Sequence, residues 1–204
     1  MIALIDYGAG NVRSVQKALE AVGASVRTVT GPEGLDEAEK IVLPGVGAFG
    51  DCMANLRRMG LVDALRTAVG RGQPLLGICV GLQVLFEEGH EMGRHAGLGL
   101  LPGQVVRFPD SLVASGLKIP HTGWNQIEPV TECPLLAGLE SGAWAYFNHA
   151  YYGAAQPGHV LAVTHYGTPF PSVVGRERLY GIQFHPEKSQ RIGLGILRSF
   201  VERG

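Results

Sequence analysis

The chain carries few of the features on which a nucleic acid, a metal or a membrane would depend. Its 204 residues hold 17 Lys and Arg against 18 Asp and Glu, a formal net charge of −1, and no basic run exceeds two residues. That excludes the positive stripe on which a phosphate backbone docks. Cysteine is scarce and odd in number: Cys52, Cys79 and Cys133 stand at irregular spacing. They form neither a disulfide framework nor a zinc motif, and they fit a reducing compartment. No metal and no cofactor is expected. No apolar run approaches the ~18 residues of a membrane span, and Asp6 follows Met1–Ile5 with no basic leader, so a soluble, cytoplasmic protein is expected. Repeats, low-complexity tracts and linkers are also missing. The expectation is one domain over residues 1–204, a length that buries roughly 70% of the unfolded chain's surface without staples. Charged residues are only 17%, whereas glycine is plentiful at 30, a balance that suits many tight strand-to-helix turns.

Those turns organise the first half. Apolar runs at Ile2–Ile5, Ala24–Val29, Ile41–Leu43 and Leu75–Ile78 alternate with helical periodicity, notably Val12, Val15, Leu19 and Val22, which gives a parallel βαβ pattern. Asn11 stands at the N-cap position and Gly23 at C′ of that first helix. A helix is expected to begin near Val80. Beyond it come strand-like runs at 104–108, 124–127, 143–147, 160–165, 172–174 and 180–184, read as antiparallel additions, and a closing helix from about Lys188 to Val201. The fold class is α/β: a doubly wound, mixed, mostly parallel sheet flanked by helices.

Two clusters carry chemistry. Gly77-Ile78-Cys79-Val80-Gly81 places a thiol between glycines at the C-terminal end of an apolar strand, where open α/β sheets bind ligands. This has the form of a nucleophile elbow. A buried cysteine is more often an inert small hydrophobe, and the second cluster weighs against that reading. In His185-Pro186-Glu187 an extended backbone would turn residues 185 and 187 to one side, so that the carboxylate orients the imidazole. Gly45-Val46-Gly47-Ala48-Phe49-Gly50 matches a dinucleotide fingerprint, but the next strand ends at Cys79 and not at an acidic residue. Its glycines suit an oxyanion hole better. His90, His95, His159 and His165 show no carboxylate at suitable spacing and are read as surface or hydrogen-bonding residues.

In the order glycine turn, cysteine, histidine, glutamate, the chain resembles the class I, triad-type glutamine amidotransferases. Ile5–Val15, Ile119–Asn125 and His185–Gln190 are similar to the glutaminase subunits of imidazole glycerol phosphate synthases. The resemblance implies that Cys79, His185 and Glu187 are the triad, and that N–H groups of Val46 or Gly47 and of Val80 form the oxyanion hole. It assigns glutamine binding to Gly45, Gln83, Glu91 and His149. His121, Trp124, Tyr146 and Lys188 would meet a cyclase subunit, in a heterodimer that receives the ammonia. Asn148 and Ala150 flank His149 where family members usually carry valine and serine, so a serine side-chain contact to glutamine is missing. Other clients, such as the pyridoxal phosphate or anthranilate systems, do not call for the Pro120–Asn125 segment.

Overall fold

The computed structural model describes residues 1–204. In chain order the elements are β1 (Ile2–Ile5), α1 (Val12–Ala21), β2 (Val26–Val29), β3 (Lys40–Gly45), α2 (Phe49–Arg58), α3 (Leu61–Gly70), β4 (Leu75–Cys79) and α4 (Val80–Gln83). There follow β5 (Phe86–Gly89), β6 (His95–Ala96), β7 (Leu101–Arg107), α5 (Ser111–Ala114), β8 (His121–Pro129), β9 (Ala143–His149) and β10 (Tyr151–Ala155). The chain closes with β11 (Val160–Tyr166), β12 (Thr168–Arg176), β13 (Leu179–Ile182) and α6 (Gln190–Arg203).

The main sheet has nine strands in the order β2-β1-β3-β4-β13-β12-β11-β8-β9. From β2 to β13 neighbours run parallel, and from β13 to β9 they run antiparallel. The two halves differ for a physical reason. Every residue of β1, β4 and β13 is buried, as for parallel strands covered by helices on both faces. On β8 and β9 burial largely alternates, leaving one face of that edge hairpin to solvent. This open face carries Trp124 and Trp144, 44% and 53% exposed.

Helix boundaries follow local chemistry. Gly23 stands past the end of α1 at φ +90°, and its N–H donates to the Glu20 carbonyl at 2.9 Å. Asn11 holds the N-cap position, but its side chain makes no capping bond. The helix expected from Val80 is one turn only: Val84-Leu85-Phe86 is buried throughout, offers no polar face, and leads into β5. The sequence pattern does not specify α2 and α3, which fill the crossover from β3 to β4, nor the second, four-stranded sheet β10-β7-β5-β6. No helix is long and apolar enough to cross a membrane.

Candidate active site

Cys79 ends β4, and its parallel neighbour across the ladder is Gly45 at the end of β3. The chain reverses abruptly there: Cys79 has φ 56° and ψ −111°, a conformation L-residues rarely adopt. The flanking glycines are required by space. A Cβ on Gly81 would run into the Leu43 carbonyl oxygen, and one on Gly77 would fall 2.5 Å from the Gly81 carbonyl oxygen. Because these clashes are with backbone, Gly81→Ala should lower stability by about 3 kcal/mol, the upper end for overpacking, as read from urea denaturation. A variant as stable as the parent would show that the elbow does not need this glycine.

β13 is hydrogen-bonded beside β4, and the chain leaving it brings His185 to the thiol. His185 Nδ1 lies 3.0 Å from Glu187 Oε1, and both side chains are almost fully buried. The pairing of residues two apart holds, although its backbone is not a strand. His185 is extended at φ −99°, whereas Pro186–Lys188 form a 3-10 turn that carries the carboxylate round to the ring. Burial alone would lower the imidazole's pKa. Hydrogen bonds to Cys79 and Glu187, and then their charges, prevail and push it up to about 10. The arrangement places an imidazolium between the Cys79 sulfur and the Glu187 carboxyl group.

Cys79 lines a cavity of about 270 Å3 together with Val46, Gly47, Val80, Gln83, Glu91, His149, His185 and Lys188. Drug-sized ligands occupy ~300–1,000 Å3, so this space suits a molecule of amino-acid size. A larger groove of about 620 Å3 between Trp144, Leu136 and Ile192 contains neither cysteine nor histidine. Gln83 faces the cavity, but its Nε2 is already committed to the Tyr151 carbonyl at 2.9 Å and to Gln183 Oε1 at 3.2 Å. Glu91 accepts the Phe49 backbone N–H at 2.8 Å at the start of α2 and is not a free loop acid.

The expected partner-facing residues divide. Trp124 and Tyr146 are register partners on the open face of the edge hairpin, with ring centroids 6.2 Å apart. Lys188 Nζ lies 5.5 Å from the Tyr146 ring centroid, so these three form one surface beside the triad. His121 does not join it. Its side chain points to the opposite face of β8, is 2% exposed, and stacks on Phe147 and Tyr166. The imidazoles of His121 and His149 meet at 3.1 Å, and His149 Nδ1 lies 2.8 Å from the Tyr151 carbonyl oxygen. His149 Nδ1 therefore carries the proton, and its Nε2 accepts from His121. Burial lowers His121 to about 4 and His149 to about 3, so the pair stays neutral and fixes the cavity wall.

Sequence reasoning missed two residues at the centre. Gln183, on the segment leaving β13, donates from Nε2 to Cys79 Sγ at 3.8 Å. Ser189 Oγ donates to the His185 carbonyl at 2.6 Å and accepts the Tyr146 N–H at 3.0 Å, tying the histidine to the exposed aromatic face. Neither belongs to a spacing pattern. His90 and His165 are hydrogen-bonding or surface residues as expected, although each has a carboxylate neighbour that the spacing did not suggest, Glu88 at 2.7 Å and Glu128 at 3.7 Å.

Residues 3–202 match the family model described as glutamine amidotransferase class-I. The chain belongs to the class-I glutamine amidotransferases. Among curated class-I relatives, the imidazole glycerol phosphate synthase subunit HisH of Salinibacter ruber (strain DSM 13855 / M31) is 50% identical over 98% of this chain and 94% of its own length. The protein of the same description from Symbiobacterium thermophilum (strain DSM 24528 / JCM 14929 / IAM 14863 / T) is 51% identical over 98% and 92%. Of solved structures, one described as a glutamine amidotransferase superposes with a TM-score of 0.76 at 23% identity, covering 99% of this chain and 98% of that one. PurLQS from Thermotoga maritima gives 0.77 at 21% identity, covering 98% and 96%. At those identities the likeness is one of fold, and it is the fold of glutamine amidotransferases.

Proposed function

We propose that this chain is the cytoplasmic glutaminase subunit of an imidazole glycerol phosphate synthase. It hydrolyses glutamine to glutamate and ammonia, and a cyclase partner uses the ammonia to form imidazole glycerol phosphate and aminoimidazole carboxamide ribotide in histidine biosynthesis. The observation that carries this reading is the strained Cys79 elbow in the wall of an amino-acid-sized cavity that it shares with His185, whose Nδ1 is held by Glu187. Identity near 50% to proteins described as synthase subunits supports the client.

The Cys79 thiolate attacks the carboxamide carbon of glutamine. The resulting oxyanion takes hydrogen bonds from the Val80 N–H and from an N–H of Val46 or Gly47. His185 gives its proton to the departing nitrogen, which leaves as ammonia. Water, deprotonated by the same imidazole, then cleaves the thioester, restores the thiolate and releases glutamate. Gln83, Glu91, His149 and the Gly45 backbone shape the glutamine pocket. In neutral water ammonia is mostly protonated and no longer nucleophilic, so delivery must be sheltered. The exposed Trp124–Tyr146–Lys188 surface beside the triad is the docking face this requires.

The test is glutamate release from glutamine by the isolated subunit and by the subunit assembled with its cyclase and the cyclase's ligand. Gly45 precedes Val46 and makes rotation of the Gly45–Val46 peptide inexpensive, so the Val46 N–H can leave the oxyanion hole until the partner docks. The isolated subunit should therefore be slower by about 10²-fold, the loss that accompanies one missing oxyanion donor. Equal rates would refute dependence on the partner.

A further inference from the structure

The turn that holds the oxyanion donors rests on a buried polar pair that the triad leaves unused. Tyr7, just beyond β1, is 1% exposed, and its hydroxyl meets no partner at hydrogen-bonding geometry. That hydroxyl lies under Gly45: a Cβ on Gly45 would fall 2.7 Å from it. Cys52, on α2, is fully buried, and its thiol donates to the Val46 carbonyl oxygen at 3.6 Å. The two groups are neighbours, and burial keeps both protonated. It raises the Tyr7 hydroxyl well above its ordinary value and, against the pull of the Tyr7 hydroxyl, raises the Cys52 thiol to about 11. Both therefore remain donors at neutral pH.

A trans peptide holds its C=O and N–H on opposite sides. With the Val46 carbonyl drawn inward to Cys52, the N–H of Gly47 points away from the core, where Val46 and Gly47 line the cavity with Cys79. We propose that Cys52 and Tyr7 are positioning residues for the oxyanion turn: the thiol anchors the Val46–Gly47 peptide with its carbonyl in and its N–H out, and the Tyr7 hydroxyl, packed beneath Gly45, supports the turn from behind. This rests on the reading of Cys79 as the glutaminase nucleophile. A buried carbonyl needs a donor, so removing the thiol frees this peptide to rotate and the Gly47 N–H ceases to be preorganised.

Two rates measured on the complex with the cyclase test this. One is steady-state glutamate release. The other is alkylation of Cys79 by iodoacetamide, followed by peptide mass mapping; it needs the thiolate but no oxyanion donor. Cys52→Ala should lower kcat about tenfold, part of the 10²–10³ lost when an oxyanion donor is removed outright. KM and the Cys79 alkylation rate should be unchanged. Cys52→Ser, which keeps a donor, should recover most of the loss. Tyr7→Phe removes one oxygen only, and it carries the same test with the same signature if Cys52→Ala does not fold. A kcat within twofold of the parent in both Cys52→Ala and Tyr7→Phe, or a loss matched by slower alkylation, overturns the proposal. A parent complex that releases no glutamate, or a Cys79→Ala complex that still does, would instead sink the reading beneath it.

Discussion

Cys79→Ala should abolish glutamine-dependent synthesis by the assembled enzyme, by about 10⁴-fold or more, while leaving synthesis from added ammonium salt at the parent rate. The size of the loss follows from what the thiol supplies. No other thiol and no serine or threonine hydroxyl lines the cavity, and removing the covalent nucleophile of a triad leaves only what binding and oxyanion donors contribute. Selectivity for one nitrogen source follows from the division of labour, because ammonia supplied from solution bypasses the glutaminase step. The variant should also fold, since one sulfur atom is deleted and no backbone clash is created. Glutamate release and cyclase product formation, measured on the same preparation, check both halves. Residual glutamate release near the parent rate would remove Cys79 from the reaction.

The second large effect is expected at His185. His185→Asn removes both the acceptor of the thiol proton and the donor to the leaving nitrogen, and general acid–base groups are worth about 10²–10⁴-fold. Turnover should fall by about 10³-fold. The parent enzyme adds a pH signature whose sign is fixed by the raised imidazole pKa of about 10. The ring remains an imidazolium through the neutral range, so the acid that protonates the leaving group is present there and is lost as pH rises through about 10. Stability moves the same way. A histidine raised above its unfolded value of about 6.5 stabilises the fold fully below that value, and the contribution disappears as pH climbs through the folded pKa. The variant should lack this alkaline loss, read as the urea midpoint between pH 7 and 10. A parent whose stability is flat over that range would contradict the buried imidazolium at His185.

The parts of this site that local rules govern were legible in the chain. Gly77-x-Cys79-x-Gly81 reads as an elbow because only glycine fits beside the Leu43 carbonyl, and residues 185 and 187 read as a pair because they are two apart. Apolar runs marked the buried parallel strands β1, β3 and β4, whereas β13, expected as an antiparallel addition, runs parallel beside β4. What remained hidden depends on long-range pairing. Gln183 reaches the sulfur only because β13 lies beside β4, and Ser189 bridges His185 to Tyr146 only because β9 comes alongside the 3-10 turn. His121 differs in kind: alternation along β8 already sets it on the face opposite Trp124, and that face is the one packed on Phe147 and Tyr166. The helix after Cys79 stopped short because a fully apolar 84–86 segment belongs inside the protein, next to the second sheet.

The most direct measurement is rapid acid quenching of the complex during glutamine turnover, followed by mass mapping of all three cysteine peptides. A γ-glutamyl thioester on Cys79 alone is the predicted result. Glutamate release with an adduct on Cys52 or Cys133, or with no adduct under conditions that slow hydrolysis of the thioester, would contradict it.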